Sequence, residues 1–273
     1  MNVYIHDKNS LKTYIIKYII CLLPLYIYGF YKNGILLYIN DYTNIFSMFK
    51  IFYLVILSII AYFITNKILK KVFKIDLIFL SLFLIPLFCP VKINLLFYFS
   101  ILFIFLLFRK FYNVALVILV LSLFTTFITG IDNSNLYAFN LWDKIWGRNI
   151  GGIGSTSICL GLISFIVLSF INNHKFLVSL SSLCSFILLS IIFQEYSLLL
   201  NGNSILSILF IVSLPDKSPI LKKNMIYYGF FVGVLGFIFC LFVNSYYGMI
   251  LSIAIMSIFY EYIIFKKKDL CIE

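Results

Sequence analysis

Charged residues are scarce in this chain, which has 273 residues and only 11% Asp, Glu, Lys and Arg. A soluble domain needs roughly 25% charged residues to cover its surface. Hydrophobic residues make up 63% of the sequence, and the mean hydropathy is +1.08. Apolar runs near bilayer length recur from end to end and lack the polar stripe of a helix that faces water. The sequence therefore excludes a soluble domain and predicts an integral membrane protein.

Patterns that mark metal sites or proton carriers are also missing. The two histidines, His6 and His174, fall in polar connections, so a pair of haem ligands is not expected. The six cysteines include no C-x-x-C pair, and nothing has the spacing of metal ligands. None of the ten acidic residues lies at the middle of an apolar run, where a proton-coupled carrier usually keeps one. We therefore predict no metal site and assign no catalytic residue.

The net charge of +11 could suggest a nucleic-acid partner. However, the lysines stand in short clusters between apolar runs, and this distribution encodes membrane topology rather than a groove for phosphates. The predicted surroundings are the lipid bilayer, and no nucleic acid is expected.

Ten apolar runs, separated by short polar connections, predict an all-α transmembrane helical bundle that forms a single domain over residues 1–273. The runs are residues 14–31, 45–66, 77–89, 93–108, 114–131, 155–171, 176–194, 204–214, 225–243 and 247–265. Sixteen of the 21 lysines and arginines then fall on one side of the membrane. By the positive-inside rule, the chain is a multi-pass protein of the inner (cytoplasmic) membrane with both termini in the cytoplasm.

Ten spans divide into five and five, and an odd number of spans per half gives the halves opposite orientations. The half-repeats are approximately residues 1–131 and 150–268. The third span of each half is short and ends at prolines, at Pro86 and Pro90 in one half and at Pro215 and Pro219 in the other. Such segments at matching positions are typical of an inverted repeat with a binding site where broken helices meet. The alternative is that the prolines only end helices at loops.

A helix that stops inside the membrane leaves carbonyl groups that need a polar partner. On the broken-helix hypothesis, the proline ends of the two short spans approach each other near the midplane. An ion or substrate pathway would then be lined by Ser81, Pro86, Ser213, Pro215 and Ser218.

A glycine-rich segment, Gly151-Gly-Ile-Gly-Ser-Thr-Ser157, opens the sixth span. It has no lysine and follows no strand, so it is not a nucleotide P-loop. Its backbone N–H groups at a helix start would suit a phosphate, including that of a flavin. The alternative is an ordinary glycine-rich start of a helix.

Taken together, these motifs resemble the RnfD/NqrB family, and most closely RnfD. The opening Ile5-His-Asp-Lys-Asn-Ser10, followed by Leu22-Leu-Pro24, is similar to the RnfD start, and residues 202–263 fit the last three RnfD helices without a gap. The glycine-rich segment is similar to the family's G-G-S-x-G-E-T-S, with Ser155 in place of Glu. The resemblance implies a membrane subunit of an ion-translocating, flavin-dependent electron-transport complex with other redox subunits as partners.

The resemblance also implies a cofactor, flavin mononucleotide (FMN), which RnfD-like proteins usually carry on the threonine of an S-G-A-T motif. That motif belongs just before the glycine-rich segment, where this chain reads Gly130-Ile-Asp-Asn-Ser-Asn-Leu136. We therefore expect a shortened, divergent family member without covalent FMN on threonine. The residues expected to contact any bound flavin are Asp132, Ser134, Gly151, Gly154, Thr156 and Ser157.

Two other interpretations stay open at this point. One is a cofactor-free transporter or channel-like protein that uses the same inverted-repeat fold. The other is a scaffold subunit for a flavinylated partner. If the chain takes part in catalysis, it does so as a non-autonomous subunit of a redox-driven ion translocase.

Overall fold

The computed structural model describes residues 11–40, 42–69, 77–109, 112–129, 141–147, 151–171, 175–214 and 218–262, and every regular element in these ranges is helical. The α-helices are α1 (Leu11–Phe30), α2 (Leu36–Ile39), α3 (Ile45–Met48), α4 (Lys50–Ile68), α5 (Leu77–Phe88), α6 (Leu95–Leu107), α7 (Val114–Thr129), α8 (Leu141–Trp146), α9 (Ile158–Ser169), α10 (Phe176–Ile192), α11 (Tyr196–Leu199), α12 (Gly202–Leu206), α13 (Lys222–Phe242) and α14 (Gly248–Tyr262). Two π-helical turns, Tyr31–Ile35 and Ser207–Ile211, follow α1 and α12.

Each of the ten predicted apolar runs coincides with an apolar helix. Within the described ranges, three helical segments are long and apolar enough to cross a bilayer alone, namely Leu11–Ile39, Lys50–Ile68 and Lys222–Phe242. The other seven are shorter, and they include α5 and the segment Gly202–Ile211. At about 1.5 Å per residue these two segments reach only about 18 and 15 Å, whereas a hydrocarbon core is roughly 30 Å thick. The predicted all-α membrane bundle is confirmed.

The bundle places apolar side chains on its outside and many hydroxyl groups inside, as a lipid solvent requires. Ile60 and Phe230 are exposed, whereas Ser58 and Tyr98 are fully buried and their hydroxyls form a hydrogen bond between α4 and α6. Other buried serines donate a hydrogen bond to a backbone carbonyl of their own helix, as Ser182 does to the Ser179 carbonyl at 3.0 Å. These buried hydroxyls therefore find partners without water, whereas those of Thr156 and Ser164 have none among the described residues.

The two halves of the chain have the same pattern of helix neighbours. In the first half α4 packs against α5 and α6, α7 packs against α5 and α6, and α1 packs against α5. In the second half α10 packs against α13 and the π-turn after α12, α14 packs against α12 and α13, and α9 packs against α12. The matching helices α1 and α9, and likewise α7 and α14, contact each other across the two halves.

Matching helices run in opposite directions. Gly29, near the end of α1, packs against Ile153 and Gly154, which precede the start of α9. Asn113, just before α7, donates a hydrogen bond to Ser257 near the end of α14. This is the arrangement that an inverted repeat predicts, and the repeat itself stays a prediction.

Candidate functional site at the junction of the halves

The glycine-rich loop 151–157 caps the end of α5. The Gly154 N–H donates to the Leu87 carbonyl at 2.9 Å, and the Ile153 N–H donates to the Cys89 carbonyl at 2.8 Å. The last four carbonyls of a helix have no partner within the helix, and Pro90 prevents α5 from continuing to supply them. The loop provides two of the missing donors, so α5 can end inside the bundle.

The same loop is fixed from the side of α1. The Asn33 side-chain amide donates to the Ile153 carbonyl at 2.6 Å. A Cβ added at Gly29 would lie 2.6 Å from that carbonyl oxygen, so only glycine allows α1 to approach so closely. The Lys50 ammonium, at the start of α4, donates to the Val91 carbonyl at 2.6 Å just beyond α5. Side chains from α4 and from the π-turn after α1 therefore support the capped end of α5.

On its other side the loop contacts the start of α12. The Ser155 hydroxyl accepts the Gly152 N–H at 3.0 Å and donates to the Asn203 side-chain oxygen at 2.7 Å. The Asn203 amide then donates to the Tyr246 carbonyl at 2.6 Å, in the turn between α13 and α14. Burial raises the pKa of the Tyr246 hydroxyl, so this side chain stays neutral. One continuous network thus connects α5, the loop, α12 and the turn at Tyr246.

These contacts decide whether the loop suits the phosphate of FMN. The N–H groups of Gly152, Ile153 and Gly154 all donate to protein acceptors. A Cβ added at Gly152 would lie 2.7 Å from the Leu87 carbonyl oxygen, and one added at Gly154 would lie 2.3 Å from a Leu87 methyl group. Because the glycines leave space for protein atoms and not for a ligand, the described loop does not fit a flavin phosphate.

The other predicted flavin contacts have separate positions. Asp132 and Ser134 lie outside the described residues. The Ser157 hydroxyl accepts the Leu160 N–H at 3.4 Å and caps the start of α9. Thr156 is buried, and its hydroxyl has no hydrogen-bond partner within the part of the chain that the structure describes. The Gly151 backbone lies against the Thr156 methyl group.

The three serines of the predicted ion pathway are buried and donate to carbonyls of their own segments. Ser81 donates to Ile78 at 2.6 Å, Ser213 to Leu209 at 2.9 Å and Ser218 to Leu214 at 2.7 Å. Ser81 also pairs with the Tyr112 hydroxyl. Pro86 lies inside α5 and is buried, whereas Pro215 lies outside the described residues. The approach of Pro86 to Pro215 therefore stays a prediction.

The described contacts place the end of α5 and the end of the α12 segment among different neighbours. Near the end of the α12 segment, Tyr18 of α1 donates to the Phe210 carbonyl at 3.1 Å. Ser179 of α10 donates to the Leu209 carbonyl at 3.2 Å. The end of α5 meets the loop, and through the loop it meets the start of α12. Both short helices thus obtain donors from the protein itself.

Three residues at the junction, Asn33, Asn203 and Lys32, were not singled out from the sequence, and Ser155 was noted only as a departure from the family motif. Ser155 and Asn203 form the bridge between the loop and α12, and Asn33 holds the loop from α1. Lys32 was placed in a connection, but the helical segment continues to Ile39, so Lys32 lies in a π-turn and is 6% exposed. A charged residue buried in a membrane helix is costly to retain. The one sequence signal that could have indicated these residues is that they are polar residues between or within apolar runs.

Comparison with known protein families finds a match over most of the chain. The model of the NQR2, RnfD, RnfE family matches residues 1–268, which cover both halves of the bundle. No curated protein matches the chain.

Proposed function

Because the chain belongs to the NQR2, RnfD, RnfE family, we propose that it serves as the membrane subunit of a flavin-dependent electron-transport complex that moves ions across the cytoplasmic membrane. The family consists of membrane subunits of multi-subunit Rnf- and Nqr-type complexes. The match over 1–268 is the observation that supports this function, since it includes the glycine-rich loop and both short helices.

The arrangement of the bundle supports this proposal, because the two short helices α5 and α12 are both held at the glycine-rich loop 151–157. α5 and α12 are too short to span a bilayer, and both depend on neighbouring donors to satisfy their ends. Irregular backbone of this kind is tolerated in membrane proteins where it is buried in protein or lines a route for an ion or substrate. In the proposed orientation both termini are cytoplasmic, and residues 130–149 face the opposite side.

FMN supplies one-electron and two-electron chemistry in such a complex. The described loop does not fit its phosphate, so we place the flavin on partner subunits or on residues of this chain outside the described ranges. The role of Ser155 and Asn203 is then to hold the loop between α5 and α12. No electron-transfer step is assigned to the junction itself.

A second candidate function is a scaffold subunit that positions a flavinylated partner and carries no flavin. It is favoured by one observation, which is that the N–H groups of Gly152, Ile153 and Gly154 are engaged by the protein. The two candidates share the fold and the complex, but only the first allows this chain itself to bind a flavin.

The test is affinity purification of the tagged chain from its native membrane in a mild detergent. The proposed function predicts that redox subunits co-purify, with flavin absorbance that dithionite bleaches. Purification of the chain alone, with no flavoprotein or iron–sulfur protein, would overturn it. Flavin absorbance of the chain after its partners have been dissociated under native conditions then separates the candidates, because a scaffold loses all flavin with its partners.

A further inference from the structure

Arg109, which follows the end of α6, is fixed against α4. Its guanidinium donates to the Asn66 side-chain oxygen and lies 5.4 Å above the centre of the Tyr62 ring. Tyr62 is buried, and its ring makes an edge contact with Phe79 of α5 at 5.8 Å between centroids. Since both Asn66 and Arg109 lie near the ends of their helices, α4 and α6 end on the same side of the bundle.

The side-chain amide nitrogen of Asn66 is a further hydrogen-bond donor close to the Arg109 guanidinium. Asn66 is 5% exposed, and its amide nitrogen has no hydrogen-bond partner in the ranges that the structure describes. The Asn66 side-chain oxygen must face Arg109, because the opposite orientation of the amide would place its N–H donors against the N–H donors of the guanidinium. A buried donor without a partner costs free energy. An anion beside Arg109 would recover that free energy.

The local charge also favours an anion. Lys67, next to Asn66, is exposed and stands at the same end of α4. The ends of α4 and α6 each carry about half a negative charge from the helix dipole. Lys67 and Arg109 contribute two full positive charges, so the net charge at the ends of α4 and α6 stays positive. In the sequence the same two connections also contain Lys70, Lys71, Lys74 and Lys110.

Large apolar side chains surround this positive end. Phe63, Ile68 and Phe108 are 49%, 55% and 61% exposed. They belong to the outer face of α4 and α6, which in an integral membrane protein is in contact with acyl chains. A cluster of basic residues at the end of membrane helices is the pattern that binds anionic lipid headgroups. The combination of two positive side chains with apolar flanks fits a phospholipid better than a free anion.

We propose that Arg109, Asn66 and Lys67 bind the headgroup phosphate of an anionic phospholipid, whose acyl chains lie along Phe63, Ile68 and Phe108. The guanidinium is already oriented by Asn66 and Tyr62, so little side-chain freedom is lost on binding. This site is independent of the electron-transport function, because it lies at the ends of α4 and α6 and not at the glycine-rich loop.

The test compares lipid retention by the full chain and its variants. Wild type, Lys67→Gln and Arg109→Gln are purified in a mild detergent, and bound phosphatidylglycerol and phosphatidylcholine are counted per chain by mass spectrometry. We expect each variant to retain at least threefold less phosphatidylglycerol than wild type, with phosphatidylcholine unchanged. Lys67→Gln alters an exposed side chain and leaves the contact between Arg109 and Asn66 intact, so it remains informative if Arg109→Gln fails to fold.

The matched control is Lys17→Gln, an exposed lysine on α1 at the side predicted to be cytoplasmic. Wild-type retention in Lys67→Gln, or an equal loss in Lys17→Gln, would overturn the proposal because the lipid would then be held by general charge. A second measurement is the Tm of wild type with phosphatidylglycerol or with inorganic phosphate. The lipid is expected to raise the Tm in wild type and to raise it less in Lys67→Gln. An equal rise with inorganic phosphate would show a free-anion site and contradict the proposal.

Discussion

The Ser155 hydroxyl donates to the Asn203 side-chain oxygen at 2.7 Å, between two residues separated by 48 positions in the chain. This bond joins the loop that caps α5 to the start of α12. Since the Asn203 amide also donates to the Tyr246 carbonyl, one side chain connects the loop to the turn between α13 and α14. The two short helices are therefore held by a shared network.

Replacing Asn203 should destabilise the bundle. Asn203→Ala removes the acceptor for Ser155 and the donor for Tyr246, and buried groups left without partners cost about 1–3 kcal/mol each. We expect a clear fall in Tm in a thermal-shift assay on detergent-purified protein. Asn40→Ala is the control, since Asn40 is exposed and its amide donates only to the nearby Leu36 carbonyl. Equal Tm values for the two variants would contradict the bridging role of Asn203.

Close backbone approach at Gly202 gives a second prediction. A Cβ at Gly202 would lie 2.4 Å from the Thr156 carbonyl oxygen and 2.8 Å from that of Ser155, so the loop backbone would have to shift. Gly161 offers a matched control because its added Cβ would meet only the flexible end of the Leu206 side chain. We expect Gly202→Ala to lower the Tm by more than Gly161→Ala does. The reverse order would show that the loop does not pack on α12 as described.

Membrane topology is tested by accessibility of introduced cysteines. In a variant without exposed native thiols, we expect an impermeant maleimide added to intact cells to label Asn135→Cys and to leave Lys267→Cys unlabelled. The reason is that sixteen of 21 basic residues fall on the side of Lys267. Labelling at position 267 without labelling at position 135 would reverse the orientation.

Covalent flavin on this chain is not expected after co-expression with an FMN-transferase. The attachment motif is replaced at residues 132–136, and the hydroxyl of nearby Thr125 is buried and donates to the Leu121 carbonyl at 2.8 Å. We expect no flavin fluorescence at the mass of the chain in a denaturing gel. A fluorescent band lost on mutating Thr125, Thr126 or Thr129 would prove the expectation wrong.

Sequence patterns predicted the helices better than the junction. Apolar runs identify helices because length and hydropathy are properties of one segment, and all ten runs coincide with apolar helices. The end of the first run was missed because Lys32 looks like a connection, whereas the π-turn keeps it inside a continuous helical segment. The bridge from Ser155 to Asn203 depends on the packing of distant segments, which spacing in the sequence does not encode. Glycines at 151–154 suggested a phosphate site because close packing and phosphate binding require the same residue type.

An experimental map of the purified complex at the glycine-rich loop is the most direct measurement. If the loop is a structural junction, the Ile153 nitrogen will lie within hydrogen-bonding distance of the Cys89 carbonyl oxygen, the corresponding bond from Gly154 to Leu87 will be present, and no flavin density will contact residues 151–157. Flavin or phosphate density bound by the N–H groups of Gly152, Ile153 and Gly154, with the end of α5 displaced, would contradict it.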